Sequence, residues 1–141
     1  MFKAVIDTNV IISALLKEKG IPGLILSLVL QKKIELCLSK EVFDEYQGVL
    51  ARKKFRGLDP KKVKRLLSQI KKQSLWVVPK VSVNAIKKDP DDNRFLECCL
   101  EADADFLITG NIKHFFFRKF HRTHILTPRE FIDLFLKFLA K

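Results

Sequence analysis

Carboxylate and amide side chains recur in this chain near the ends of predicted strands or early in the helices that follow them. The candidates for chemistry are Asp7, Glu45, Asp92 and Asn111. Because the carboxyl ends of parallel strands meet at one edge of a sheet, we expect these side chains to converge there. Carboxylates gathered at low dielectric repel one another and protonate unless a cation neutralises them. Oxygen ligands without Cys or His suit a hard ion such as Mg²⁺ or Mn²⁺.

Asp7 ends an apolar opening, residues 2–6, and precedes the helix-compatible segment 13–16. This pattern predicts a buried parallel strand that passes directly into a helix. An Asp at such a junction can also serve simply as a helix cap. Both interpretations of Asp7 are open from the local sequence.

Glu45 falls within the apolar stripe of a helix that Ser39 is predicted to cap, between Val42 and Val49. A carboxylate on a buried helix face must be paired, protonated or bound to a cation, because bare burial is costly. Glu45 is therefore expected to face the same site as Asp7.

Asp92 lies three residues before Phe95 and four before Leu96, on the inward face of another predicted helix. It is the preferred third ligand, with Asp89 and Asp91 as nearby alternatives. Acids in a first helical turn also interact favourably with the helix dipole, and Asp89 followed by proline resembles a cap. That structural explanation accounts for one or two of the acids.

The wider pattern predicts an α/β fold in a single domain over residues 1–141. Apolar runs predict strands at 2–6, 34–38, 75–78, 104–109 and 124–126, with helices between them. The order predicts a three-layer α/β/α sandwich, Rossmann-like, around a parallel sheet of about five strands.

The charge balance favours a polyanionic partner such as nucleic acid. Lys and Arg outnumber Asp and Glu by 27 to 16, which gives a net charge of +11. A dense basic row at 61–72 is either a solvated helix face or a contact surface. Heat-adapted proteins also carry Lys-rich surfaces, so charge alone does not decide.

Nothing in the sequence predicts a membrane or secreted protein. The longest apolar stretch, 21–30, is about ten residues long, against the ~20 that a bilayer requires, and no charged leader precedes it. Cys37, Cys98 and Cys99 form no C-x-x-C pair and are predicted to be small core residues in a reducing cytoplasm.

Several segments of the sequence resemble, in the same order, the motifs of the PIN-domain family. They are Val5–Val10, Ser39–Tyr46, Asp89–Leu96 and Asp105–Asn111. The resemblance covers essentially the whole chain and extends to the VapC-like PIN toxins of prokaryotic toxin–antitoxin pairs. It implies an Mg²⁺- or Mn²⁺-dependent endoribonuclease that acts on RNA, forms homodimers and has a small antitoxin partner.

By that resemblance Asp7, Glu45 and Asp92 would be the three core acids that hold the metal. Thr8 or Asn9 would support Asp7. Thr109 would help to hold the site, although local sequence equally allows it a role in the turn.

Asn111 departs from the family pattern, because many members carry a fourth acid there. An Asn can still orient a water molecule, but it would bind a second metal less tightly. One-metal and two-metal chemistry are both open.

Two other functions compete with the nuclease interpretation. Phosphoryl transfer through an aspartyl nucleophile would use Asp7, but it usually requires an acid at position nine, where this chain has Asn, and a later lysine such as Lys113. A non-catalytic PIN-like module that binds RNA or protein is favoured by Asn111 and opposed by retention of the three acids. The three histidines are assigned no role.

Overall fold

A mixed six-stranded sheet flanked by helices forms the centre of the fold. The structure is a computed structural model that describes residues 1–52, 57–86 and 91–141. In chain order the strands are β1 Lys3–Ile6, β2 Glu35–Leu38, β3 Leu75–Trp76, β4 Phe106–Ile108, β5 Lys119–Phe120 and β6 Thr123–Leu126. Their spatial order is β3-β2-β1-β4-β6-β5, which places β1 inside the sheet between β2 and β4.

Several helices begin at side chains that cap their first turn. They are α1 Thr8–Leu16, α2 Ile21–Leu30, α3 Lys40–Leu50, α4 Pro60–Gln73, α5 Asp92–Ala102 and α6 Pro128–Leu139, with a 3₁₀ helix at Ile112–His114. The Ser39 side chain accepts a hydrogen bond from the backbone of Val42 and caps α3. Thr127 and Glu130 form a capping box at the start of α6. The predicted cap at Asp89 lies outside the described residues.

The α/β class is confirmed, and the sheet has one strand more than predicted. Strands β1, β2, β3, β4 and β6 are parallel, whereas β5 pairs antiparallel with β6 through Phe120 and Thr123. The turn between them uses His121 at φ 54°, a left-handed conformation. Because β5 has only two residues, it shows no alternation that sequence reasoning could detect.

Two contacts fix the end of β1 against its surroundings. The backbone amide of Asp7 donates to the carbonyl of Ile108 at 2.9 Å, so pairing with β4 continues one step past the strand. The fully buried hydroxyl of Tyr46 donates to the carbonyl of Ile6, which anchors α3 at the same point. The sheet and α3 therefore bring Asp7 and Glu45 to one place.

Within the described residues, the helices are too short or too polar to cross a bilayer.

Candidate functional site

A cleft of about 260 Å³ opens where β1 ends. It contains all four residues that the sequence singled out, at the carboxyl edge where they were expected to meet. The side chains around it are those of Asp7, Thr8, Asn9, Ile12, Glu45, Val49, Arg52, Asp91, Asp92, Phe95 and Asn111. The cleft is therefore lined by several acids, two amides and the cation of Arg52.

Asp7 is a buried acid whose surroundings raise its pKa. The residue is only 6% exposed, and the pKa of its carboxyl group is raised to about 6, mainly by burial. The negative charges of Asp92 and Glu45 contribute to this rise, while the hydrogen bond from Thr109 opposes it. Asp7 thus lies in an environment that disfavours its negative charge unless a cation is added.

Asp7 is not simply the cap of α1. It occupies the capping position, but its side chain makes no standard capping hydrogen bond. A weaker contact with the Asn9 amide lowers its pKa by less than burial raises it. A carboxylate placed for capping would have its charge stabilised by the helix amides, so the cap alone does not explain this residue.

Thr109 and Asn9 join the ends of β1 and β4. The fully buried Thr109 hydroxyl donates to Oδ2 of Asp7 at 2.7 Å and accepts the Asn111 amide at 3.0 Å. The Asn9 side-chain oxygen accepts the Gly110 amide at 3.1 Å. A side chain at position 110 would bring its Cβ within 3.3 Å of that oxygen, so glycine allows the close approach.

Glu45 faces the cleft from α3, where its carboxylate accepts a hydrogen bond from the Thr8 hydroxyl. The resemblance implied that Thr8 or Asn9 would support Asp7. In the structure the Thr8 hydroxyl binds Glu45, whereas Asn9 contacts Asp7 through its backbone amide and the loop after β4 through its side chain. The supporting residues therefore orient the cleft as a whole.

Asp92 begins α5 with only 5% of its surface exposed. His114 in the 3₁₀ helix places Nδ1 2.9 Å from Oδ2 of Asp92. Asp91 also borders the cleft but is largely exposed and lies 3.6 Å from the Arg94 guanidinium. Burial thus favours Asp92 over Asp91, and Asp89 lies outside the described residues.

Sequence reasoning missed two residues of this site. His114 was assigned no role, and a three-residue 3₁₀ helix carries no periodic signal that would reveal its contact with Asp92. Arg52, in contrast, could have been found from its spacing in the sequence. It lies seven residues after Glu45, with Val49 between them, and this spacing repeats on one helix face.

The donor atoms suit a hard divalent cation, but they do not form a closed cage. Across residues 1–52, 57–86 and 91–141, no group of three or more His, Cys, Asp or Glu side chains is arranged to hold an ion. Mg²⁺ is usually bound by one or two carboxylates and retains several water molecules, so it does not require such a cage. The predicted ligand set therefore stays a prediction.

A family model and a sequence relative both match most of the chain. The family model described as the PIN domain matches residues 3–113. An uncharacterized protein of Methanocaldococcus jannaschii is 33% identical over 155 aligned positions, which cover 98% of this chain and 94% of that protein.

A solved structure gives an independent comparison of the fold. A chain in the crystal structure of VapBC2 from Rickettsia felis, bound to a DNA fragment from their promoter, aligns with a TM-score of 0.57. The alignment covers 89% of this chain and 98% of that chain, at 16% identity. The fold, the family match and the sequence relative together lead to one conclusion: this chain belongs to the PIN domain family.

Proposed function

We propose that the protein is an Mg²⁺- or Mn²⁺-dependent endoribonuclease that hydrolyses phosphodiester bonds of RNA. The observation that carries the proposal is the buried carboxyl group of Asp7, whose pKa is raised to about 6 by burial together with the charges of Asp92 and Glu45. A divalent cation would relieve this repulsion and keep Asp7 ionised at neutral pH. Its own chemistry, when bound, is to lower the pKa of a water molecule and to polarise a phosphate.

Six residues in or beside the cleft have a role in this proposal. Asp7, Glu45 and Asp92 hold the cation, directly or through its water molecules, and Thr109 fixes the carboxylate of Asp7 through its hydroxyl. Asn111 orients a water molecule at the rim. Arg52 binds a phosphate oxygen of the substrate, which offsets the repulsion between RNA and the acids.

Substitution of the acids tests the proposal directly. In Asp7→Asn, Glu45→Gln and Asp92→Asn, cleavage of a long RNA in Mg²⁺ or Mn²⁺ should fall by orders of magnitude, while RNA affinity in EDTA stays near wild type. Asp44→Asn is the matched control, because this acid lies on α3 next to Glu45 but is exposed and paired with Lys40. Undiminished cleavage by Asp7→Asn, or wild-type cleavage that persists in EDTA, would refute the proposal.

The alternative is a non-catalytic PIN-like module that binds RNA or protein. It is favoured by Asn111 at the position of the family's usual fourth acid. Titration of Mn²⁺ with a thermal-shift readout separates the two. The nuclease should be stabilised by Mn²⁺ and lose that response in Asp7→Asn, whereas the module should show no response in either protein.

We further propose that the protein is the toxin of a toxin–antitoxin pair and acts as a homodimer in the cytoplasm. The family and the fold shared with a VapBC2 chain support an antitoxin partner. Leu136, Phe138 and Leu139 expose more than half of their surface on α6, which suits a dimer contact. Burial raises the pKa of the Cys37 and Cys98 thiols to about 12, so they are inert core groups, as a reducing compartment allows.

The partner proposals have their own tests. Sedimentation of the purified chain should give twice the mass of 16.4 kDa, and Phe138→Asp should return it to the monomer. An open reading frame for a small protein beside this gene, whose product blocks cleavage when added in equal amounts, would identify the antitoxin. A monomer at micromolar concentration would refute the homodimer.

A further inference from the structure

An aromatic ridge leads away from the cleft on the segment between β4 and β6. We define it as Phe115, Phe116, Phe117 and Phe120. Phe116 is 85% exposed, the highest fraction among the large hydrophobic side chains of the described residues. Single exposed apolar residues are common on proteins, so exposure alone gives Phe116 no function.

The support beneath Phe116 sets it apart from a loose surface side chain. Its ring meets that of Phe117 edge to face, with centroids 4.8 Å apart and an angle of 89° between planes. Phe117 in turn contacts Phe120 at 5.9 Å and the buried Phe115 at 6.1 Å. The exposed ring is therefore braced by a chain of aromatic contacts that reaches the core.

The ridge begins at the candidate active site. Asn111 lines the cleft, and His114 contacts Asp92 across it. Phe116 follows His114 by two residues, which keeps their Cα atoms within roughly 7 Å. Phe116 therefore lies on the same short segment as residues that border the cleft or contact its lining.

The surroundings of the ridge are basic. Between Phe106 and Arg129 the sequence has four Lys or Arg residues and no Asp or Glu. Arg118 is paired with Glu130, and Arg122 with Asp105. Lys113 and Lys119 are exposed and make no ion pair with any residue that the structure describes. An exposed ring flanked by cations suits a ligand that combines flat bases with phosphates.

We propose that Phe116 is a stacking platform for a nucleobase of single-stranded RNA, adjacent to the phosphate that enters the cleft. The inference rests on the proposed nuclease function and deepens it, since it names the form of the substrate. Bases in a duplex already stack on one another, whereas an unpaired base offers a free face to an aromatic ring. Lys113 and Lys119 bind the flanking phosphates.

The experiment measures binding of a fluorescent, unstructured RNA 12-mer in EDTA, where the proposed cleavage does not occur. Phe116→Ala and Phe116→Leu should weaken binding by roughly 5- to 150-fold, the range that the loss of one base stack gives. Phe116→Trp should retain binding. Val78→Ala is the matched control, because Val78 is 81% exposed on another part of the surface. Equal melting temperatures would show that the variants are folded.

Two further probes separate stacking from general adhesion. An abasic 12-mer should bind wild type and Phe116→Ala equally, because it has no base to stack. Phe116→Trp adds a second Trp to a chain that otherwise has only Trp76. Its fluorescence should change on adding the normal 12-mer by more than that of wild type.

The outcomes distinguish this inference from the proposed function. If Phe116→Ala binds the 12-mer as tightly as wild type, the stacking platform is refuted while the nuclease proposal stands. If Phe116→Ala loses RNA affinity but wild type never cleaves RNA with Mn²⁺, the platform stands and the catalytic proposal fails. An effect of Phe116→Ala on self-association alone would mean that the ring binds protein, which also refutes the platform.

Discussion

At the scale of single residues, the buried carboxyl group of Asp7 links the metal proposal to stability. Its pKa is raised from 3.8 to about 6 because burial disfavours its charge, and the charges of Asp92 and Glu45 add to the effect. The folded protein therefore holds this proton more tightly than the unfolded chain does. The stability that the protonated group contributes is fully present below about pH 4 and is lost as the pH rises through about 6.

Asp7→Asn should remove this pH dependence. Without metal, wild type should lose about 3 kcal/mol of stability through Asp7 between pH 4 and pH 7, the value of a two-unit pKa shift. The Asp7→Asn variant should lose less stability over this pH range and should be more stable than wild type at pH 7. Thermal melts in EDTA at several pH values measure both curves. Parallel curves would mean that Asp7 has an ordinary pKa.

Thr109 should control how well Asp7 binds the cation. Thr109→Val keeps the shape of the side chain but removes the hydrogen bond to Asp7 and the acceptor for the Asn111 amide. The pKa of Asp7 should rise further, so Mn²⁺ affinity at pH 7 should fall. Calorimetric titration measures this affinity, and Thr109→Ser, which retains the hydroxyl, should stay near wild type. Equal Mn²⁺ affinity in Thr109→Val would remove Thr109 from the support of the site.

The sequence predicted the residues of the cleft to the extent that periodicity and strand ends reveal them. Asp7 and Asn111 follow strands, and Glu45 and Asp92 lie on inward helical faces. Their shared location could therefore be predicted from the sequence. The sequence could not show which hydroxyl binds which carboxylate. The Thr8–Glu45 and Thr109–Asp7 hydrogen bonds join residues that are 37 and 102 positions apart, so they depend on the tertiary structure. Whether the acids bind a metal stays a prediction.

At the scale of the elements, two glycines within helices should respond in opposite ways to substitution by alanine. A Cβ at Gly48 in α3 would meet no atom within 4 Å. Gly48→Ala should therefore stabilise the protein by roughly 0.5–1 kcal/mol, since glycine is a poor helix residue. Chemical denaturation measures this change, and destabilisation would mean that α3 is distorted at this point.

Gly23 in α2 is the contrasting case. A Cβ there would lie 2.0 Å from the backbone carbonyl oxygen of Glu18 and 2.9 Å from its Cα. Because backbone atoms cannot swing aside, Gly23→Ala should force α2 away from the turn after α1 and destabilise the fold by more than 1 kcal/mol. The same denaturation series compares it with Gly48→Ala, and two variants of equal stability would contradict the packing described.

The observed bounds of two strands are narrower than the bounds predicted from the sequence. The strand predicted at 75–78 is only Leu75–Trp76, since pairing with β2 stops before Pro79, and that predicted at 104–109 is Phe106–Ile108. In α6 the helical spacing of Phe131, Leu134, Phe135, Phe138 and Leu139 is that of a buried apolar face, yet Leu134, Phe138 and Leu139 are exposed to 37%, 56% and 63%. Periodicity finds an apolar helix face but not whether the same chain covers it.

At the scale of the whole molecule, the positive charge should control RNA affinity. One exposed hollow on α4, about 510 Å³, is lined by Lys61, Lys64, Arg65, Ser68, Gln69 and Lys72. RNA that contacts this face would release counterions from its phosphates. The logarithm of the affinity should then fall linearly with the logarithm of the salt concentration.

Neutralising part of α4 tests that contact. The triple variant Lys64→Gln, Arg65→Gln and Lys72→Gln should lower the salt slope by about 2, because each lost phosphate contact on a single strand contributes about 0.7. A control with exposed Lys19, Lys33 and Lys137 changed to Gln has the same net charge and should change the slope less. Equal slopes in both variants would mean that α4 is an ordinary solvated face.

The position of β1 inside the sheet also has a consequence during synthesis. Asp7 is synthesised 102 residues before its partner Thr109, and β4 beside it is equally late. At 5–20 residues per second, a ribosome needs about 5–20 s to make the intervening chain. The cleft therefore cannot assemble on a nascent chain that ends before β4. The proposed nuclease activity therefore requires synthesis to pass β4, and a product interrupted before that strand carries the first acid without the strand and hydroxyl that position it.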